Sequence, residues 1–439
     1  MASDTARPNV LLVVLDSVRA QNCSLYGYRN HTTPFLETLA GESTVYTQAR
    51  APATWSLPSH ISLFTGIETH AHKVTVHDRL QPGATVFETL ADRGYTTGLF
   101  SENGFLTSHG SGIKHAFETV EAAPSTYDDR FDTTAVNPAP DGFYFAAAFD
   151  AWRQGCDGPW AACVNLMDAH RPFEPRPAYD TWGTEFGREL QQTLPTRWEW
   201  VFHGQERPYW ELQALEQLYD GGIRQVDAIL NRIVSRLRAT GALAETLVVV
   251  CGDHGDGFGD PGQLPGEPPA VSHIVPMTES LLHVPLLVRP PGGTSGRRCH
   301  HPARLTAFPS VVRETVAGRP PDRGFAADHV VATKQPVTDS LRQRFLDHCQ
   351  NPGRFLKPSR AVYVDSPTDG TGIRKQYFWG NEAGEYRVDA PGELTRLTAI
   401  APERVTAAFA TPKADIREPL SGEQVTPAAK EQLAALGYY

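Results

Sequence analysis

Two apolar runs, far apart in the chain, each end in an aspartate. The first is Val10-Leu11-Leu12-Val13-Val14-Leu15-Asp16 and the second is Leu247-Val248-Val249-Val250-Cys251-Gly252-Asp253-His254-Gly255. Neither run alternates apolar with polar residues, so both faces are apolar. That pattern suits a strand buried in the middle of a parallel sheet. Before the second run, apolar residues recur at helical spacing from Leu218 to Leu237 (Ile223, Val226, Ile229, Leu230, Ile233, Val234), and Gly241 follows as a stop. Strand, helix and strand in this order predict an α/β fold. Ligands in open α/β sheets bind beyond the carboxyl ends of the strands, which is where Asp16 and Asp253 fall.

Thr97–Phe100, Trp160–Leu166 and Pro285–Val288 read as further strands. The stretch from about 107 to 215 is irregular, rich in Pro, Gly and aromatics, and predicts long loops or a lid. From about 321 the character changes. Short strand candidates at 361–364, 372–379 and 385–388 precede a helix at 427–436 closed by Gly437. The predicted organisation is an α/β domain over 1–320 and a smaller α+β subdomain over 321–439.

The segment Thr54-Trp55-Ser56-Leu57-Pro58-Ser59-His60 opens a predicted helix that Gly66 ends. Ser56 can cap that helix, and Pro58 is tolerated in its first turn. A hydroxyl at a helix N-terminus faces unpaired N–H groups and the positive end of the dipole, which favours an anionic ester there. Asp16, Asp253 and His254 could hold a metal ion together with the Ser56 oxygen, and such an ion would acidify and position the hydroxyl. Asp256 and Asp260, close by, read as solvated loop acids. Trp182, Trp198, Trp200 and Trp210 cluster in the irregular region. They either floor a pocket for a flat ring or pack in a core.

Composition excludes several classes. A net charge of −10 argues against a broad nucleic-acid surface. No run of about 18 apolar residues predicts a membrane span. The segment before Pro8 lacks the apolar stretch of a secretion signal, so a cytoplasmic location is expected. The 6 cysteines are scattered without CxxC spacing and read as reduced structural thiols. There is no GxSxG elbow and no P-loop.

Several stretches together resemble the sulfatase family of the alkaline phosphatase superfamily. They are Pro8-Asn9-Val10 through Asp16-Ser17-Val18-Arg19-Ala20, Tyr26-Gly27-Tyr28, Thr33-Pro34-Phe35-Leu36, Ser56-Leu57-Pro58-Ser59 with Thr65-Gly66, Tyr219-Asp220-Gly221 with Val226-Asp227, Asp253-His254-Gly255, and Val284-Pro285-Leu286-Leu287-Val288-Arg289. The last is Leu433 to Tyr438. The resemblance implies a mostly parallel mixed sheet flanked by helices. It implies a sulfuric ester hydrolase, with Ser56 as the nucleophile and as a formylglycine precursor. Asp16, Ser56, Asp253 and His254 would be the metal ligands. His170, in Asp168-Ala169-His170-Arg171-Pro172, and His273 would line the anion pocket as catalytic groups. The substrate would be a small anionic ester such as a sulfated sugar or an aryl sulfate, and the ion Ca²⁺.

Two residues depart from the family pattern. His60 replaces the arginine of the nucleophile motif, which leaves open direct attack by an unmodified Ser56 on a phosphate or phosphonate ester. Ser17 stands where a second aspartate is usual, so Mn²⁺, Mg²⁺ or Zn²⁺ fits as well as Ca²⁺. Both departures also allow a non-catalytic anion- or metal-binding member.

Overall fold

The computed structural model describes residues 7–108, 110–122, 141–195, 197–366, 372–410 and 414–420. The first apolar run forms β1 (Asn9–Leu15), buried from Val10 onward. It lies inside a sheet completed by β2 (Thr44–Tyr46), β3 (Thr96–Ser101), β4 (Thr119–Glu121), β5 (Trp160–Leu166), β6 (Thr246–Gly252), β7 (Leu286–Arg289) and β8 (Arg297–Cys299). The spatial order is β8-β2-β7-β6-β1-β5-β3-β4. The block from β6 to β4 is parallel, and β7 runs antiparallel to both of its neighbours. The sheet is therefore mixed and mostly parallel, as expected.

Register sets the site. Leu15 pairs with Leu166 on one side and with Gly252 on the other. Asp16, Met167 and Asp253 thus leave three adjacent strands side by side.

Alternate residues of β1 feed two cores. Val10, Leu12 and Val14 pack with Leu57, Ile61 and Phe64 of α1 (Ser56–Thr65) on one face. On the other face, Leu11, Val13 and Leu15 share a core with two helices. One is α2 (Gly142–Gln154), through Phe145 and Phe149; the other is α3 (Leu212–Ala239), through Ile223, Val226, Ile229 and Leu230. The helix α3 starts earlier than predicted because Leu212 and Leu215 extend its buried stripe. The predicted irregular stretch contains α2, whose start Asp141 caps by accepting the Phe143 N–H at 3.2 Å.

A second, antiparallel sheet runs in sequence order: β9 (His329–Thr333), β10 (Ser359–Asp365), β11 (Ile373–Trp379), β12 (Glu382–Ala390) and β13 (Glu393–Ala399). The three predicted strand segments fall in β10, β11 and β12. Between β9 and β10 lies α4 (Asp339–His348). The predicted helix at 427–436 lies outside the described residues. The second sheet meets the segment before β7 at a buried ion cluster, where Glu279 faces Arg50 at 2.9 Å and Lys375 at 3.1 Å and accepts the Tyr363 hydroxyl at 2.6 Å. Among the described residues, no helix is long and apolar enough to cross a membrane. All six cysteines are free thiols.

Candidate active site

At the strand ends the predicted residues meet. The Ser56 Oγ lies 3.5 Å from both Asp16 carboxylate oxygens and 3.2 Å from His254 Nε2. His254 Nε2 lies 3.4 Å from Asp253 Oδ2 and 3.8 Å from Asp16 Oδ1. Asp16, Asp253 and His254 are all fully buried, and each offers a ligand atom within 4.8 Å of the others. Asp253 Oδ2 has no hydrogen-bond partner. A buried carboxylate oxygen without donors is costly unless a cation faces it, so these residues fit a divalent ion. The donors are mostly oxygen with one imidazole nitrogen, a set that several divalent ions accept.

Local backbone explains the convergence. Ser17 adopts φ 62°, a left-handed conformation that a residue with a Cβ takes up at a cost. That turn lets the Ser17 N–H donate to Asp253 Oδ1 at 3.1 Å. The Tyr219 hydroxyl braces it, donating to the Ser17 carbonyl at 2.8 Å and accepting the Arg19 N–H at 2.9 Å. After His254 the chain needs glycine: a Cβ on Gly255 would sit 1.9 Å from the Ser280 carbonyl. His254 Nδ1 donates to the Gly255 carbonyl at 2.8 Å, which leaves the Nε2 lone pair facing the two aspartates, as a metal ligand would.

Ser56 does not cap its helix. The capping position is Trp55, and Ser56 is the first helical residue, its side chain turned toward Asp16 and His254. The ring of His60 is buried one turn on. Its Nδ1 donates to the Ser56 carbonyl at 2.9 Å and lies 3.5 Å from Asp253 Oδ2, while its Nε2 has no partner. His60 therefore sits against the Ser56 backbone and the Asp253 carboxylate.

His170 and His273 form the other wall. Their ring centroids are 5.3 Å apart, and the His273 ring is 4.7 Å from that of His254. His170 Nδ1 donates to the Arg171 carbonyl at 2.7 Å, which leaves Nε2 as the atom for contact with a ligand. Burial pushes His170 below the usual imidazole range against the pull of Asp16. Burial, then the neighbouring His254, His170 and Arg171, push His273 well below it. Burial also raises Asp253, and the Asp16 charge adds to the shift.

Asp256 is not a solvated loop acid. It is fully buried, and its Oδ1 lies 3.5 Å from His273 Nδ1. Asp260 is half-buried and pairs with the buried Arg19 at 3.2 Å. Sequence spacing could not separate these acids from ordinary loop residues, because their burial comes from the β6–β7 connection folding back under α3. The tryptophans also sort by packing. Trp198 and Trp200 are buried in apolar clusters, and Trp210 is exposed and stacked on Phe186. Asn103 and Asn165 were not picked out from the sequence, yet they donate to Asp16 Oδ2 at 2.9 and 3.2 Å. Their one signal was position: Asn165 lies within β5, which pairs with β1, and Asn103 lies just past β3, the next strand out.

A family model described as Sulfatase matches residues 8–311. Arylsulfatase A of Homo sapiens is 25% identical over 286 residues, covering 56% of this chain and 52% of that protein. The chain thus spans about half the length of that curated relative. The phosphonate monoester hydrolase of Agrobacterium radiobacter superposes with a TM-score of 0.59 at 17% identity, covering 98% of this chain and 94% of that one. A 2-O GAG sulfatase gives a TM-score of 0.59 at 15% identity, covering 98% and 91%. With a matching family model over both aspartate-ended strands and the Ser56 helix, the chain belongs to the sulfatase family.

Proposed function

We propose that the chain hydrolyses a sulfate ester at Ser56, with a divalent cation held by Asp16, Asp253 and His254. The observation that carries this reading is the approach of the Ser56 Oγ to His254 Nε2 and both Asp16 oxygens, at the mouth of α1. A cation bound there supplies positive charge to the ester oxygens and favours the ionised form of the attacking hydroxyl. The chain's own groups do the rest. The first N–H groups of α1 face the anion, and Asn103 and Asn165 fix the Asp16 carboxylate. His170 and His273 border the same site and would contact the ester, whose negative charge favours their protonation and transfer of that proton to the leaving oxygen.

A second reading rests on His60. An imidazole stands where the nucleophile motif carries arginine, which disfavours conversion of Ser56 to formylglycine and favours attack by the serine hydroxyl on a phosphate or phosphonate ester. Mass spectrometry of the Ser56 peptide, with rates on aryl sulfate, phosphate and phosphonate, separates the two. An aldehyde at Ser56 with fastest sulfate cleavage supports the sulfatase reading. An intact hydroxyl with fastest phosphate or phosphonate cleavage overturns it for the second.

A further inference from the structure

His170 stands in the segment that leaves β5, and that segment is anchored on both sides of it. Before His170, the Asp168 carboxylate accepts the Gly142 N–H of α2 at 3.1 Å and the Gln225 side-chain amide of α3 at 2.6 Å. After it, the Arg171 side chain reaches a short helix, Glu199–His203, and pairs with the Glu199 carboxylate. The His170 ring hangs on this second anchor. Its Nδ1 donates to the carbonyl of Arg171 itself at 2.7 Å, so fixing Arg171 fixes the ring and its Nε2.

Glu199 is suited to that hold. It is fully buried, and its two oxygens serve different partners. Oε2 takes Arg171 Nη1, and Oε1 takes Arg197 Nε at 2.6 Å. Arg197 is a neighbour 2 residues away, whereas Arg171 lies 28 residues back in the chain, beside the candidate active site. The Arg171 guanidinium also lies 5.8 Å from the centre of the Trp198 ring, and its charge acts on the buried Asp256 carboxyl. The short helix has its own support. Trp200 meets Phe345 edge-on at 5.2 Å and stacks on His348 at 5.8 Å, both on α4. A brace therefore runs from α4 through the short helix to the pocket histidine. Buried ion pairs add little net stability over apolar substitutes of the same shape; their directional bonds add a fixed geometry.

We propose that Glu199 is a positioning residue for ester cleavage: through Arg171 it sets the direction of His170 Nε2. The proposal rests on the reading of Ser56 as the point of cleavage, because that makes His170 a catalytic group. Glu199 acts at one remove from the reacting atoms.

Two measurements on the full chain test it. The first is kcat and KM on aryl esters for Glu199→Gln, Arg171→Met and Arg197→Met, with cation affinity alongside. Misplacing a reacting group by about 1 Å costs on the order of 100-fold in rate. We expect kcat to fall at least about tenfold in Glu199→Gln and Arg171→Met, with KM and cation affinity within about twofold of the unaltered chain. Arg197→Met removes the other partner of the same carboxylate and should keep kcat within about twofold. Combining Glu199→Gln with Arg171→Met should be no slower than Arg171→Met alone, as for two residues acting through one contact. The second measurement is the nitrogen NMR spectrum of histidine-labelled chain, which needs no turnover. His170, assigned by its loss in His170→Gln, should carry its proton on Nδ1 in the unaltered chain and in Arg197→Met. Glu199→Gln and Arg171→Met should lose that single form. If Glu199→Gln does not fold, Arg171→Met against Arg197→Met decides.

Equal loss of kcat in Arg171→Met and Arg197→Met, or additive losses in the combined variant, overturns the proposal in favour of a purely structural ion pair. A chain that cleaves no ester but keeps the Nδ1–H form of His170 only while Glu199 is present refutes the hydrolase reading and leaves the hold on His170 standing. A chain that cleaves ester with unchanged kcat and unchanged His170 form in folded Glu199→Gln refutes the brace alone.

Discussion

The Asn103 side-chain amide donates to Asp16 Oδ2 at 2.9 Å and, with Asn165 on the same oxygen at 3.2 Å, holds a buried carboxylate toward Ser56 and His254. Groups that orient metal ligands are worth about 10–100-fold in metal affinity. Asn103→Leu should therefore weaken divalent-cation binding by roughly that factor. A competition titration against a coloured chelator measures it. Affinity equal to that of the unaltered chain would remove Asn103 from the site.

Asp253 accepts two backbone N–H bonds through Oδ1, from Ser17 and His254. Asp253→Asn keeps much of the shape but places an amide where Oδ2 would face the ion. Cation affinity and ester cleavage should fall together. Loss of cleavage with unchanged cation binding would assign Asp253 a role apart from the metal.

The Tyr219 hydroxyl bridges the Ser17 carbonyl and the Arg19 N–H inside the core. Tyr219→Phe leaves both backbone groups unpaired, at about 1–3 kcal/mol of stability. Urea unfolding reads that loss. Because the same turn carries Asp16, cation affinity should drop as well, whereas a change in stability alone would confine Tyr219 to packing.

The helix α3 crosses the loop that carries His170 at Gly222. A Cβ there would meet the Asp168 carbonyl at 2.5 Å. Gly222→Ala should displace that loop at a cost of roughly 1–3 kcal/mol, and catalysis should fall with cation affinity unchanged. Normal kcat in a folded Gly222→Ala chain would show that the loop position does not matter.

The buried cluster around Glu279 sets an acid limit. Burial pushes the Glu279 carboxyl up, but Arg50, Lys375, His283 and the Tyr363 hydroxyl outweigh it and hold it at about 2, below its ordinary 4.5. The native state therefore favours the ionised form. Its stabilisation is complete above pH 4.5 and is lost as pH falls through about 2. Glu279→Gln should lower stability near neutral pH by about 3–5 kcal/mol, because Arg50 and Lys375 lose their partner. Between pH 4.5 and 2 the gap to the unaltered chain should shrink. Denaturation curves that stay parallel over that range would contradict the assignment.

Much of this arrangement is visible in the sequence because strong local signals carry it. A seven-residue strand buried on both faces can only lie inside a sheet, and that fixed β1, β6 and the placement of Asp16 and Asp253 beyond their ends. Asp253-His254-Gly255 and Ser56 to Pro58 are contiguous motifs. What sequence spacing missed depends on tertiary approach. Asp256 is solvated or buried according to how the chain after β6 folds back. Asn103 and Asn165 matter only because β3 and β5 are the next strands beyond β1. The left-handed turn at Ser17 carries no glycine to announce it. The helix α2 was hidden by the irregular composition around it.

The central claim is that Ser56, Asp16, Asp253 and His254 form one cation-dependent, ester-cleaving centre. The most direct measurement is the rate of aryl sulfate, phosphate and phosphonate cleavage against added divalent cation, for the unaltered chain and for Ser56→Ala. The account predicts a saturable, chelator-sensitive rise for the unaltered chain on at least one ester and no rise for Ser56→Ala. Equal rates for the two chains, or cleavage indifferent to chelator, would contradict it.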